Sequence, residues 1–187
     1  MRIYKTTDPA EAVAFAAGCI GPEGHEGLDI FFNTGVFLQT GVTNTSDRDA
    51  ARELGIPVWQ AEHLGGSIVC FPGDLSLCLT TWGNRLPDFG EACMEAAEGL
   101  LREAGAAVAR DSNDVLADGK KVASWARATT RDGWVQTVVH FSVNTDLELI
   151  RHICTKPMKK IPGQLSDYGI TANDILARIG PEMEAWK

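Results

Sequence analysis

Two hydrophobic periods alternate along this chain. Short runs rich in Ile, Val and Phe predict strands at residues 1–5 and within "LDIFFNTGVFLQTGV", "IPVWQ", "GGSIVCFPGDLSLCLTTWG" and "DVLADGKKVASWARATTRDGWVQTVVHFSVN". Apolar positions three and four residues apart predict helices at residues 10–19 and 146–154 and within "SDRDAARELG", "DFGEACMEAAEGLLREAG" and "ITANDILARI". The pattern favours an α+β domain, a mixed β-sheet with helices largely on one face.

Glycine-containing turns divide the predicted strands. The Asn33-Thr34-Gly35 stretch is interpreted as the turn of a strand pair, and Pro72-Gly73 separates two further runs. Ala117-Asp118-Gly119 and Arg131-Asp132-Gly133 join the last three strands. The second half of the chain is therefore expected to form a meander.

Composition limits the classes of protein to consider. The 187 residues predict a single domain, 1–187, without an accessory domain, and the net charge of −8 disfavours nucleic acid and anionic membranes as partners. Acidic residues interrupt the N-terminal apolar stretch, so no export signal is expected. Five cysteines without a C-x-x-C pair indicate reduced thiols and a cytoplasmic protein.

A lysine pair at the start of a predicted strand is a candidate site. Strict alternation places Lys120 on the face of Val122, Ser124 and Ala126, and Lys121 on the face of Ala123, Trp125 and Arg127. One lysine then points toward the packed side, where an ammonium needs an anionic partner or a ligand. The alternative is that both lysines lie at the exposed tip of a hairpin.

Glycines and cysteines supply further candidates. Gly65 and Gly66, followed by Ser67, could form either an ordinary turn or a backbone nest that binds an anion. Cys154 lies beside His152 and before a basic loop with Lys156, Lys159 and Lys160, so it could be a reactive thiol or an inert one. This loop could be solvated or could meet an acidic partner. The scattered histidines form no metal motif.

Several segments together resemble the catalytic domain of the lipoate–protein ligase A and biotin–lipoate protein ligase superfamily. They are "TTDPAEAVAFAAG", "VFLQTGVTNTSDRDAARELGIPV", "LGGSIVCFPGDLSLCL", "SNDVLADGKKVASWA" and "VNTDLELI", in the order of the family. The resemblance implies a class II aminoacyl-tRNA synthetase/biotin ligase-like fold. It also implies an enzyme that activates lipoate or octanoate as an acyl-adenylate and transfers it to a lysine of a small carrier or lipoyl-domain protein.

The resemblance also implies roles for individual residues. Lys121 corresponds to the family's reactive-site lysine, and Gly65, Gly66 and Ser67 would follow the acyl chain and phosphate. Asn113 and Asp114 match the Asn-Asp near the nucleotide, while Ala123 and Ser124 stand where the family has Ser-Gly after the lysines. ATP and Mg²⁺ are implied in the same way, with lipoate or octanoate as substrate.

Departures from the family motifs leave two alternative functions open. Gln60 and Ala61 replace the paired arginines, and Leu64 replaces the third glycine of the motif. Arginine forms a bidentate clamp on phosphate that glutamine cannot supply. A cysteine-dependent octanoyltransferase using Cys154 or Cys70 would need no nucleotide. The other alternative is a non-catalytic protein that binds an acyl group or its carrier.

Overall fold

The computed structural model describes residues 2–6, 27–40, 46–60, 66–82, 89–129, 133–155 and 158–183. The described strands are β1 (Arg2–Thr6), β2 (Gly27–Asn33), β3 (Phe37–Thr40), β4 (Val58–Gln60), β5 (Ile68–Cys70), β6 (Leu75–Trp82), β7 (Val108–Asp111), β8 (Asp114–Ala117), β9 (Lys120–Thr129) and β10 (Trp134–Phe141). The described helices are α1 (Arg48–Glu53), α2 (Phe89–Glu103), α3 (Leu147–Ile153) and α4 (Ala172–Met183), with a 3₁₀ turn at Leu165–Tyr168. The helix predicted at 10–19 lies outside the described residues.

The strands form a large sheet and a small one. The seven-stranded sheet has the order β1-β2-β6-β10-β9-β8-β7, in which only the β1–β2 pair is parallel. The three-stranded sheet has the order β4-β3-β5. Strand β7 and its pairing with β8 were not predicted from the sequence.

The hairpin expected at Asn33-Thr34-Gly35 is absent, because β2 and β3 belong to different sheets. The two runs around Pro72-Gly73 likewise separate into β5 and β6. Asn33, at the end of β2, is hydrogen-bonded to the segment that joins β5 and β6. Its amide Nδ2 donates to the Phe71 carbonyl at 2.7 Å, and its own carbonyl accepts from Gly73 N at 2.8 Å. The predicted meander of β8, β9 and β10 is confirmed.

Helices α2 and α4 cover one face of the large sheet, as predicted for an α+β domain. The core there contains fully buried side chains from the sheet and from both helices: Leu75, Leu77, Val139, Phe141, Phe89, Met94, Leu101, Ile175 and Ile179. Burial of this much apolar surface is the main source of stability for a domain of this size.

Part of the opposite face is covered by the small sheet. Phe31 and Cys78 of the large sheet pack with Phe37 and Cys70 of the small one, and the Phe31 and Phe37 rings meet edge to face at 6.4 Å. This second, smaller apolar cluster leaves the neighbouring part of the sheet face to polar side chains. No described helix combines the length and the apolar character needed to cross a membrane.

Candidate functional site

A row of polar side chains crosses the face of the large sheet that lies away from α2 and α4. Asp114, Ser124, His140 and Ser76 occupy directly opposed positions on β8, β9, β10 and β6, and the row ends at Phe31 on β2. Opposed residues of paired strands project to the same face. The alternate positions, such as Phe141 and Ala123, enter the helix-covered core. This polar row and the side chains that join it form the candidate site.

Lys121 reaches the row because the pairing of β8 and β9 shifts by one residue. Val115 is opposite Ala123, but Leu116 is opposite Lys121, so one residue of β9 is extra. Val122 and Ala123 are both buried in the helix-covered core. A bulge of this kind reverses the faces of all residues that precede it.

The ammonium of Lys121 consequently lies 2.9 Å from Oδ1 of Asp114, with 38% of the side chain exposed. Strict alternation had placed Lys121 with Ala123 and Trp125, and that assignment is wrong because it contains no bulge. The same correction moves Val122 away from the face of Ser124. Because the Lys121 side chain is partly exposed, a ligand can reach the ammonium and replace its carboxylate partner.

Lys160 joins the site from a distant part of the chain. Its Nζ lies 2.6 Å from Oδ2 of Asp114 and 2.8 Å from Oδ2 of Asp111. Hydrogen bonds to Asp111 and Asp114 raise the pKa of Lys160, so this lysine remains charged at neutral pH. Two ammonium groups therefore share the carboxylate of Asp114.

The backbone around Lys121 holds the Lys160 segment against β9. Lys121 N donates to the Ile161 carbonyl and Gly163 N donates to the Lys121 carbonyl, both at 2.8 Å. A Cβ on Gly163 would lie 2.7 Å from the Cβ of Lys120, so only glycine fits this approach. Sequence reading left Lys160 in a basic loop. The signal available was the pair of acids, Asp111 and Asp114, that flank a tight turn.

Asp74, His140 and Ser76 form a buried polar cluster behind the lysines. Ser76 Oγ and His140 Nδ1 are 3.1 Å apart, and His140 Nε2 lies 3.7 Å from Asp74 Oδ2, too far for a hydrogen bond. Asp74 accepts from the backbone nitrogens of Phe71 at 2.7 Å and Val143 at 2.7 Å, and of Asn144 at 3.1 Å.

Burial shifts both titrating groups of this cluster toward their neutral forms. Desolvation raises the pKa of Asp74 to about 7, against the opposing effect of its three backbone hydrogen bonds. Desolvation, assisted by the charge of Lys121, lowers the pKa of His140 to about 4. His140 is therefore uncharged at neutral pH, and it places no third positive charge near the two lysines.

The remaining predicted site residues take different positions. Asn113 forms the turn before β8, and its carbonyl accepts from Trp125 N at 3.0 Å. Ala123 is buried in the helix-covered core, while Ser124 lies in the polar row. Gly66 and Ser67 precede β5, and an added Cβ at Gly66 would contact nothing within 4 Å. The structure does not describe Ala61, Leu64 and Gly65.

Trp125 does not narrow the site. Its indole lies on the helix side of β9 and donates from Nε1 to Glu91 Oε1 at 3.1 Å. A Cβ on Gly90 would come within 2.5 Å of the ring, so the bare backbone of α2 is what accommodates it. On the face of the polar row, β9 after Lys121 therefore has only small side chains among the described residues, those of Ser124, Ala126 and Ala128.

Neither candidate cysteine is activated by its surroundings. Cys70 is buried, and desolvation together with the charge of Asp74 raises its pKa well above the ordinary value. Partial burial also raises the pKa of Cys154, which follows the last turn of α3. Catalytic thiols need the opposite shift, because the thiolate is the nucleophile. Within the described residues, no group of three or more His, Cys, Asp or Glu side chains could hold a metal ion.

Comparison with known proteins gives a match in structure alone. No family model matches the chain, and no curated protein does. Among solved structures, a bi-partite lipoate protein ligase from Thermoplasma acidophilum, studied with its E2 lipoyl domain, is similar at a TM-score of 0.73 and 17% identity. The match covers 98% of this chain and 82% of that one.

Two further structures extend the likeness. A lipoate-protein ligase A bound with ATP has a TM-score of 0.73 and 17% identity, and the match covers 98% of this chain and 85% of that one. A biotin protein ligase from Aquifex aeolicus, in complex with biotin and ATP, has a TM-score of 0.52 and 12% identity over 100% of this chain and 71% of that one. The chain therefore has the fold of the lipoate and biotin ligase catalytic domains, as the resemblance in sequence implied.

Proposed function

We propose that this protein is an acyltransferase of the lipoate–protein ligase type. It activates lipoate or octanoate with ATP and transfers the acyl group to a lysine of a small carrier or lipoyl-domain protein. The observation that carries this proposal is the position of Lys121, which a β-bulge brings beside Lys160 at one end of the polar row. The fold shared with lipoate ligases supports it.

The two lysines supply positive charge of the kind that phosphate chemistry needs. Both ammonium groups contact one carboxylate, Asp114, at 2.9 Å and 2.6 Å. A nucleotide phosphate competes for the same donors, and it is the stronger partner since it carries more negative charge. Lys160 in this way offers a second cation in a chain whose motif has Gln60 and Ala61 in place of arginines.

The residues at the site also fit Mg²⁺ bound together with nucleotide. Mg²⁺ usually binds through one or two carboxylates and the phosphates of the substrate, and does not need a complete cage of protein ligands. Asp111 and Asp114 are the two carboxylates beside the lysines. Such an ion would neutralise phosphate charge, while Lys121 and Lys160 would orient the same phosphates.

The proposed reaction has two steps. A carboxylate oxygen of the acid attacks the α-phosphorus of ATP, and pyrophosphate leaves. The uncharged amine of the carrier lysine then attacks the acyl carbon and loses a proton to solvent, and AMP leaves with the bonding electron pair. In both steps negative charge gathers on oxygens near the acyl carbonyl and phosphate, where a fixed ammonium such as that of Lys121 lowers the barrier.

The shape of the sheet face agrees with an acyl substrate. Beyond the polar row, β9 presents the small and partly exposed side chains of Ala126 and Ala128 on this face, beside the buried apolar cluster of Phe31, Phe37, Cys70 and Cys78. An acyl chain can lie on this surface with its carboxyl end at Lys121. The raised pKa values of Cys70 and Cys154 give no support to a thioester route.

The test is acid-dependent exchange of pyrophosphate into ATP, measured with lipoate and with octanoate. The wild type is compared with Lys121→Ala and with Lys120→Ala, a matched control because Lys120 is adjacent and exposed. We expect exchange in the wild type and the control, and a loss of about a hundredfold or more in Lys121→Ala. Folded wild type that gives no exchange with either acid would exclude the ligase function and leave a binding role.

A further inference from the structure

Lys160 lies on a loop, residues 158–164, that is neither helix nor strand. We call it the Lys160 loop. The backbone bonds described between this loop and β9 both involve Lys121, which donates to the Ile161 carbonyl and accepts from Gly163 N. Two bonds to one residue leave a loop free to pivot about that residue. The position of Lys160 beside Asp114 therefore depends on a second attachment.

Thr145 attaches the Lys160 loop to the segment that follows β10. Its Oγ1 donates to the Gly163 carbonyl at 2.9 Å, and its backbone nitrogen donates to Gln164 Oε1 at 2.8 Å. Gly163 is buried, and it is bonded through its nitrogen to Lys121 and through its carbonyl to Thr145. Gly163 thus joins the loop to β9 and to the segment after β10 at once.

The segment that carries Thr145 is itself firmly held. Oδ1 of the buried Asp74 accepts from Val143 N at 2.7 Å and from Asn144 N at 3.1 Å. Just beyond the Lys160 loop, Leu165 N donates to the Ser142 carbonyl at 2.9 Å. Breaking a buried hydrogen bond leaves its partner unsatisfied, which is costly. Thr145 therefore stands on a fixed support.

A displacement at Gly163 is passed along the chain to Lys160. Pro162 lies between the two residues, and its ring fixes one backbone angle, so the connection is stiff. The Lys160 ammonium lies 2.6 Å from Asp114 Oδ2 and 2.8 Å from Asp111 Oδ2. Charge-assisted bonds of this kind are short and tolerate little movement of either partner.

We propose that Thr145 is a positioning residue: its hydroxyl fixes the Lys160 loop so that the Lys160 ammonium stays beside Asp114 and Lys121, and it thereby sets the affinity for the phosphates of ATP. The part that concerns ATP rests on the proposed function, whereas the position of Lys160 can be measured without a nucleotide. Valine has nearly the shape of threonine and lacks the hydroxyl, while serine keeps it. These two substitutions separate the hydrogen bond from the packing of the side chain.

The first measurement is the rate at which limiting acetic anhydride acetylates Lys160 at pH 8, read by mass spectrometry against the exposed Lys159 of the same chain. Only an uncharged amine reacts, so the two aspartates that raise the pKa of Lys160 protect it. Thr145→Val is compared with Thr145→Ser and with Thr171→Val, a matched control whose hydroxyl accepts from the first turn of α4. Calorimetry then measures ATP binding by these proteins, by Lys160→Ala and by the double variant of Thr145→Val with Lys160→Ala.

We expect acetylation of Lys160 to rise about threefold in Thr145→Val and to keep the wild-type rate in Thr145→Ser and Thr171→Val. ATP should bind about threefold more weakly to Thr145→Val, and the double variant should bind no more weakly than Lys160→Ala. Unchanged acetylation or unchanged ATP affinity in Thr145→Val, an equal rise in Thr171→Val, or additive losses in the double variant would overturn the inference. The expected acetylation in a wild type that binds no ATP would instead reject the proposed ligase function and leave Thr145 as the residue that positions Lys160.

Discussion

The buried pair of Asp74 and His140 predicts an unusual dependence of stability on pH. Their pKa values are shifted in opposite directions: Asp74 is raised from 3.8 to about 7, and His140 is lowered from 6.5 to about 4. Burial is the main cause of both pKa shifts, and neither residue contributes to the shift of the other. Each shift should therefore persist when the other residue is replaced.

The two groups contribute slopes of opposite sign. The folded state holds the Asp74 proton more tightly than the unfolded state, so this contribution to stability is full below pH 3.8 and is lost as the pH rises to about 7. The unfolded state holds the His140 proton more tightly, so that contribution is present above pH 6.5 and is lost as the pH falls to about 4. At 1.36 kcal/mol per pKa unit, the two effects amount to about 4 and about 3 kcal/mol.

Between pH 4 and 6.5 the two contributions nearly cancel in the wild type. In Asp74→Asn the histidine acts alone, and the free energy of unfolding should rise by about 3 kcal/mol as the pH increases over this interval. In His140→Gln the carboxyl acts alone, and the free energy of unfolding should fall by about 4 kcal/mol from pH 4 to 7. Asparagine also loses the bond from Phe71 N, a cost independent of pH.

Urea denaturation at intervals from pH 4 to 8 measures all three proteins. Asp49→Asn is a suitable control, because Asp49 is an exposed carboxylate in the first turn of α1. The control should follow the wild-type curve. If both variants have the wild-type slope between pH 4 and 6.5, the shifts assigned to burial are wrong.

Three further predictions concern the lysines, the helix packing and the thiols. Isothermal calorimetry should show that Lys160→Ala weakens ATP binding about tenfold, near 1.4 kcal/mol. Lys159→Ala, at an exposed position, should leave ATP binding unchanged, and equal effects of the two substitutions would exclude a specific role for Lys160. Gly90→Ala should lower the free energy of unfolding by about 1–3 kcal/mol in urea, since its Cβ would overlap the Trp125 ring, and an unchanged value would contradict that packing. Mass spectrometry after iodoacetamide treatment at pH 8 should find Cys70 unmodified in the folded protein and modified in urea. Rapid labelling of Cys70 without urea would favour the thioester route.

Local patterns were sufficient for most of the secondary structure. The period of three and four residues in "DFGEACMEAAEGLLREAG" predicted α2, which the structure has at Phe89–Glu103. Alternation and the two Asp-Gly turns predicted the meander of β8, β9 and β10. These signals are encoded by residues close in sequence, because one helix face or one strand face is enough to produce them.

Local patterns could not predict which strands belong to the same sheet. The Asn33-Thr34-Gly35 stretch has the composition of a hairpin turn, yet it passes from one sheet to another. That choice depends on which apolar faces can pack together, as Phe31 and Phe37 do across the two sheets. Turn composition does not contain this information.

The sequence by itself determined that a lysine pair begins β9, and it left open whether one of the two lysines points inward to an anionic partner or both are exposed. Only the tertiary structure decided this, because the extra residue in β9 turns Lys121 toward Asp114 and the polar row. Lys160 contacts Asp114 although the two residues are 46 positions apart in the sequence. Asp74 and His140, which are also distant in sequence, lie 3.7 Å apart in the buried polar cluster. Side-chain alternation is a local property, whereas bulges, ion pairs and desolvation arise from contacts between distant segments.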